Sequence, residues 1–96
     1  MSKIKEIECL KRLQNRKGGA DELLEFLVSE NFIDTHKAKS IKTSPEAFKE
    51  LHECLKSLHD ANKFQLLEYE WQVLPIERIK ITIVTDRIHR EFVHNF

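Results

Sequence analysis

Along KIKEIECLKRLQNRK, apolar side chains recur at Ile4, Ile7, Leu10 and Leu13, a spacing of three that keeps one slowly winding stripe on a helix. A first helix is therefore predicted over residues 1–17, its periodic part beginning at Lys3. Arg16 and Lys17 suit its negative C-terminal end, and Gly18-Gly19 stop it. A second helix is predicted from about Ala20 to Glu30. Asp21 and Glu22 favour the positive end of its dipole, and Leu23, Leu24, Leu27 and Val28 form its apolar side. Asn31 fits a left-handed stop, followed by a short buried connection through Phe32 and Ile33. Thr35 is the expected N-cap of a two-turn helix with Ala38 and Ile41 inward. The fourth helix opens in TSPE, either with Ser44 capping before Pro45 or with Thr43 and Glu46 as a capping box. Phe48, Leu51, Leu55 and Leu58 mark its buried face, flanked by His52 and His59.

From Phe64 the period changes from helical to alternating. Leu67, Tyr69, Trp71 and Val73 interleave with Glu68, Glu70 and Gln72, and Ile79, Ile81 and Ile83 interleave with Lys80 and Thr82. This predicts a two-stranded hairpin joined through Pro75 to Glu77, with aromatic and β-branched residues on a half-buried surface. Thr85 is expected to cap a last helix over residues 85–96, where Ile88, Phe92 and Phe96 repeat every fourth residue. The expected fold class is α+β: a small helical domain with a C-terminal β-hairpin, flanked by N- and C-terminal helices.

Ninety-six residues with 41% hydrophobic content suffice for one domain with a modest core, so residues 1–96 are expected to form a single unit. No apolar run approaches the roughly 20 residues of a membrane span, and the N-terminus lacks the apolar stretch of a secretory signal. A cytoplasmic protein without a membrane partner is expected. Cys9 and Cys54 are too few for a disulfide framework and far from a C-x-x-C spacing, which fits reduced, mostly buried thiols, with a single bridge between the two as the alternative.

Formal charge is zero, from 16 Lys+Arg against 16 Asp+Glu, which argues against coating nucleic acid through an overall field. The distribution is blocked, however. Residues 1–20 carry six cations and two acids, residues 21–34 five acids and no cation, and residues 35–49 four lysines and one acid. Such blocks suit either a basic face opposite an acidic one or ordinary solvated helices.

Catalytic constellations are not evident. His52 and His59 share a helical side but stand about 10 Å apart along the axis, too far for one zinc ion with ligands at about 2 Å. Both cysteines lie among helical residues at apolar faces, where an inert thiol is expected. The two glycines stand together between helices, so no phosphate-cradling loop exists. A non-enzymatic protein without metal or other cofactor is expected.

The order of elements, with Thr35, Ala38 and Ile41 in a short helix, Thr43-Ser44-Pro45-Glu46 in the turn, Leu51, Leu55 and Leu58 behind it, and a hairpin from Trp71 to Ile83, resembles a winged helix-turn-helix domain over residues 20–85. The resemblance implies a DNA-binding regulator of transcription, with the helix from Ser44 entering the major groove. Lys37, Lys39, Lys42, Thr43, Ser44 and Lys49 would contact the groove and phosphates, with Lys80 on the wing. Added terminal helices would pair subunits as a homodimer, with Phe92 and Phe96 at the interface; Trp71, on one strand face with Tyr69, is read first as core and next as an interface anchor. No Arg occurs in residues 35–60, so the commonest bidentate guanine contact has no donor there. DELLEFLVSENFIDTHKAKSI followed by CLKSL is also similar in spacing to a caspase-recruitment (death-fold) domain. Either that all-helical bundle, which requires residues 64–74 to be helical, or a winged-helix-like domain without DNA binding would act as a protein-interaction module, an adaptor or inhibitor working through the acidic face of residues 46–60.

Overall fold

A computed structural model describes residues 2–14 and 20–95. Four helices precede three strands: α1 Ser2–Gln14, α2 Asp21–Ser29, α3 Thr35–Lys42, α4 Ala47–Asp60, β1 Leu66–Gln72, β2 Arg78–Val84 and β3 His89–Asn95. The architecture is α+β, as the change of period at Phe64 implies. The all-helical alternative does not match it, because the segment it needs as helix contains β1.

Local chemistry sets the boundaries. Asn31 takes φ 63° just beyond α2, as its predicted role as a left-handed stop requires, and Asn62 takes the same φ beyond α4. At α3 the cap is Asp34 rather than Thr35, its carboxylate accepting the Lys37 N–H at 2.7 Å. Helix α4 starts at Ala47, two to three residues later than TSPE suggests. The Thr43 hydroxyl donates back to the Lys39 carbonyl (2.9 Å) and so closes α3, while Ser44 Oγ accepts the Glu46 N–H (3.2 Å) within the turn. Gly18-Gly19, Arg16, Lys17 and Phe96, together with the roles expected of them, lie outside the described residues.

The strands form one antiparallel sheet in the order β1-β2-β3. The β1–β2 hairpin was expected; β3 replaces the predicted C-terminal helix. The reason lies at Thr85. Its Oγ1 accepts the N–H groups of Arg87 (3.2 Å) and Ile88 (3.0 Å), the same two-bond pattern with which a threonine opens a helix, while its own N–H donates to the Ile88 carbonyl (2.7 Å). That last bond turns the chain back along β2. Phe92 then lies opposite Ile81, and Arg90 and His94 lie opposite Ile83 and Ile79.

One sheet face carries Leu67, Tyr69 and Trp71, the fully buried Ile79, Ile81 and Ile83, and Phe92. It packs against Cys9, Leu10 and Leu13 of α1, Leu23, Leu24, Phe26 and Leu27 of α2, Ile41, and Leu51 and Leu55 of α4. A row of rings crosses this interface. Phe92 meets Phe26 edge-on (5.5 Å between centroids), Phe26 meets Phe32 (6.2 Å), and Phe32 meets Phe64 edge-on (5.2 Å). The other face, with Glu68, Glu70, Lys80, Glu91 and Val93, carries no helix among the described residues. A radius of gyration of 12.7 Å matches the roughly 13 Å of a folded chain of about 100 residues.

Candidate interaction surfaces

The lysines expected to hold phosphates fall into two groups. Lys37 and Lys39 stand exposed on α3, and neither is paired with a carboxylate among the described residues. The others face acids. Lys42 Nζ lies 3.5 Å from Asp21, and Lys49 Nζ lies 2.9 Å from Glu46. Lys80 belongs to the central strand, not to a projecting wing tip. Its side chain is 25% exposed, and the ammonium sits between Glu70 (3.4 Å) and Glu91 (4.0 Å). Thr43 and Ser44 use their hydroxyls within the α3–α4 turn. On the solvent side of α4, Glu50 and Glu53 are exposed, which repels a phosphate at short range.

Two shallow grooves of about 440 Å³ each flank α3. The one against α2 is lined by Leu24, Val28 and Ala38, with Asp21 and Lys42 at its rim. The one against α4 is lined by Ile33, Cys54 and Leu58, with Lys37, Lys49, Glu50 and Glu53 around them. Burial pushes the Cys54 thiol up from its ordinary range, partly offset by the charge of Lys37, so it is protonated near neutral pH and a poor nucleophile. Cys9 is fully buried. The Tyr69 phenol is held far above its usual range by burial, reinforced by Glu6 and Cys9. Among the described residues no three His, Cys, Asp or Glu side chains converge as a metal site would require.

Among the described residues, the most exposed large apolar side chains lie in the turn between β1 and β2, a segment the alternating pattern predicted as a connection but did not mark as functional. Val73, Leu74 and Ile76 are 59%, 80% and 60% exposed, and Pro75 between them is also exposed, with a cis Leu74–Pro75 peptide. A polar clamp fixes the base of this turn. Arg12 of α1 donates to Glu77 through Nη2 at 2.6 Å and through Nε to both carboxylate oxygens at 3.1 Å, and Trp71 Nε1–H donates to Glu77 Oε2 at 3.0 Å. The Arg12 hydrogen bonds hold the Glu77 carboxyl below its ordinary range, opposed by partial burial and assisted by the Trp71 N–H and the guanidinium charge. The signal was present in the sequence as VLPI beside Glu77, four apolar residues where a turn normally carries polar ones.

Of the residues assigned to a subunit interface, Trp71 is half-buried at the base of this turn. Phe92 is 2% exposed and covered by its own chain, because it belongs to a strand and not to an amphipathic terminal helix. No helix among the described residues is long and apolar enough to cross a membrane. Compared with protein-family models, curated proteins and solved structures, the chain matches none.

Proposed function

We propose that the chain is a non-catalytic protein-interaction module, an adaptor or inhibitor that inserts the apolar β1–β2 turn into a cleft of a partner protein. The observation that carries this reading is the exposure of Val73, Leu74 and Ile76 on a turn clamped by Arg12, Glu77 and Trp71. Exposed aliphatic side chains have nothing to gain from water. Burying one large aliphatic side chain stabilises a complex by about 1.5–3 kcal/mol. A clamped turn also loses little conformational freedom on docking, and a half-buried Trp beside it is a common interface anchor.

The test places a photo-crosslinking residue at position 74 and, as a control, at the exposed Lys56 on α4. Position 74 is expected to give a discrete crosslinked protein that position 56 does not. Leu74→Asp should abolish it while the far-ultraviolet circular dichroism is unchanged. Equal labelling from both positions would dismiss the turn as a binding element.

A second reading is supported by Lys37 and Lys39: a winged-helix-like DNA-binding regulator that uses α3 as its basic face. It requires binding of random-sequence duplex DNA that weakens as salt rises, because phosphate contacts release counterions. Absence of binding at about 20 mM salt would remove it.

A further inference from the structure

We propose that a second copy of this chain pairs antiparallel with the free edge of β3, joining two three-stranded sheets into one of six strands. Among the described residues, strand β3 bonds only to β2, and its other edge carries no strand. Which groups face that edge follows from two hydrogen bonds. The Thr85 N–H donates to the Ile88 carbonyl, and the Gln65 N–H donates to the Val84 carbonyl. Ile88 therefore turns its backbone groups toward β2, while Val84 turns its carbonyl toward β1. Both bonds fix the same alternation. Arg90, Phe92 and His94 bond inward to β2, and His89, Glu91, Val93 and Asn95 present their N–H and C=O groups outward.

An unpaired edge of seven residues is a template for another strand, and natural sheets usually guard such edges with lysine, proline or a bulge. Strand β3, HREFVHN, has no lysine, proline or bulge; the charges it does carry, Arg90 and Glu91, are the ones the register of a second copy has to keep from opposing their like. A twofold axis at Phe92 sets Glu91 opposite Val93 of the second copy and His89 opposite its Asn95. These are the positions whose outward groups can exchange both bonds, so all seven residues are paired. No like charges lie directly opposite, and the 43% exposed Val93 gains cover. Centring the axis on Arg90 or Glu91 would instead oppose like charges and shorten the overlap.

The other edge does not offer the same match. Pairing β1 with itself about Tyr69 sets Glu68 against Glu70 of the second copy twice, and α1 packs beside that strand. Because Phe92 is already committed to the core, the β3 contact is made by backbone groups. It is smaller than the roughly 800 Å² per partner of a standard interface, so the dimer dissociates on dilution.

Sedimentation velocity between about 5 and 500 µM, with amide hydrogen exchange at both ends of that range, tests the pairing. The average mass is expected to rise from 11.4 kDa toward twice that value. The amides of His89, Glu91, Val93 and Asn95 should gain protection with concentration, while those of Arg90, Phe92 and His94 stay protected throughout. Val93→Pro removes one outward N–H without touching the bonds to β2 and should give a monomer; Val93→Lys is the second variant if proline disturbs the strand. A mass of 11.4 kDa across the range would overturn the proposal, as would a dimer whose outward amides exchange freely. Leu74→Asp should leave the dimer intact, so loss of dimer in that variant would place self-association at the turn instead.

Discussion

His52 is 2% exposed on α4, and neither ring nitrogen has a hydrogen-bond partner among the described residues. A buried polar group left without a bond costs about 1–3 kcal/mol, whereas an apolar side chain of similar size costs nothing there. His52→Leu is therefore expected to stabilise the fold by about 1 kcal/mol or more, raising Tm by roughly 4–8 °C in a thermal melt. A lower Tm would show that the imidazole bonds to something in solution. Glu77 presents the opposite case, a carboxylate stabilised in its charged form by Arg12 and Trp71. Its folded pKa lies below the unfolded value of about 4.3, so the contribution is present above that pH and is lost as pH falls through the folded pKa. Glu77→Gln should consequently reduce stability to denaturant at pH 7. The gap from the unmodified chain should close in acid, below about pH 4. A gap that persists at low pH would mean that the clamp acts through shape and not through charge.

At the scale of elements, Phe92 joins the last strand to the helices. It faces Ile81 across the ladder and Phe26 across the layers, with the Arg90 guanidinium 4.8 Å from its ring centroid. Phe92→Ala is expected to cost about 3–5 kcal/mol in denaturant unfolding, as for other buried aromatic truncations. An effect below about 1 kcal/mol would mean that β3 contributes little to the core. The same residue shows where the sequence was legible and where it was not. The helices were legible because long stripes such as Phe48, Leu51, Leu55 and Leu58 have only one period that buries them. Strands β1 and β2 were legible because alternation and β-branching agreed. In β3, Ile88, Phe92 and Phe96 fit a helical repeat, while the alternation of Arg90, Phe92 and His94 contains only one apolar residue. Thr85 makes the same two hydrogen bonds in a turn as in a helix cap, so local chemistry did not separate the two. The ladder to β2 decides between them, and it is a nonlocal fact. The clamp was hidden for the same reason, since Arg12 and Glu77 meet from opposite ends of the chain.

For the whole molecule, zero net charge is less informative than where the charges are spent. Five lysines were expected to meet phosphate, yet Lys42, Lys49 and Lys80 each lie within 4.0 Å of a carboxylate. Any phosphate that recruited them would have to displace an acid already in place, which offsets the gain. Of these five, Lys37 and Lys39 alone have no carboxylate partner among the described residues, and two phosphate contacts give a slope of log K against log salt of about −1.8, against about −4.5 for five. A titration of random duplex DNA is thus expected to show either no binding or a slope near the smaller value, abolished by Lys37→Glu with Lys39→Glu. A slope near the larger value would mean that the acids release their lysines on contact with DNA. The basic face would then be the working surface, and the apolar turn would need another explanation. A slope near the smaller value would be the basic face of α3 acting through Lys37 and Lys39 alone, and no binding leaves the clamped turn as the feature with most to gain from a partner. Crosslinking at position 74 and titration with DNA therefore discriminate between the two surfaces from opposite sides.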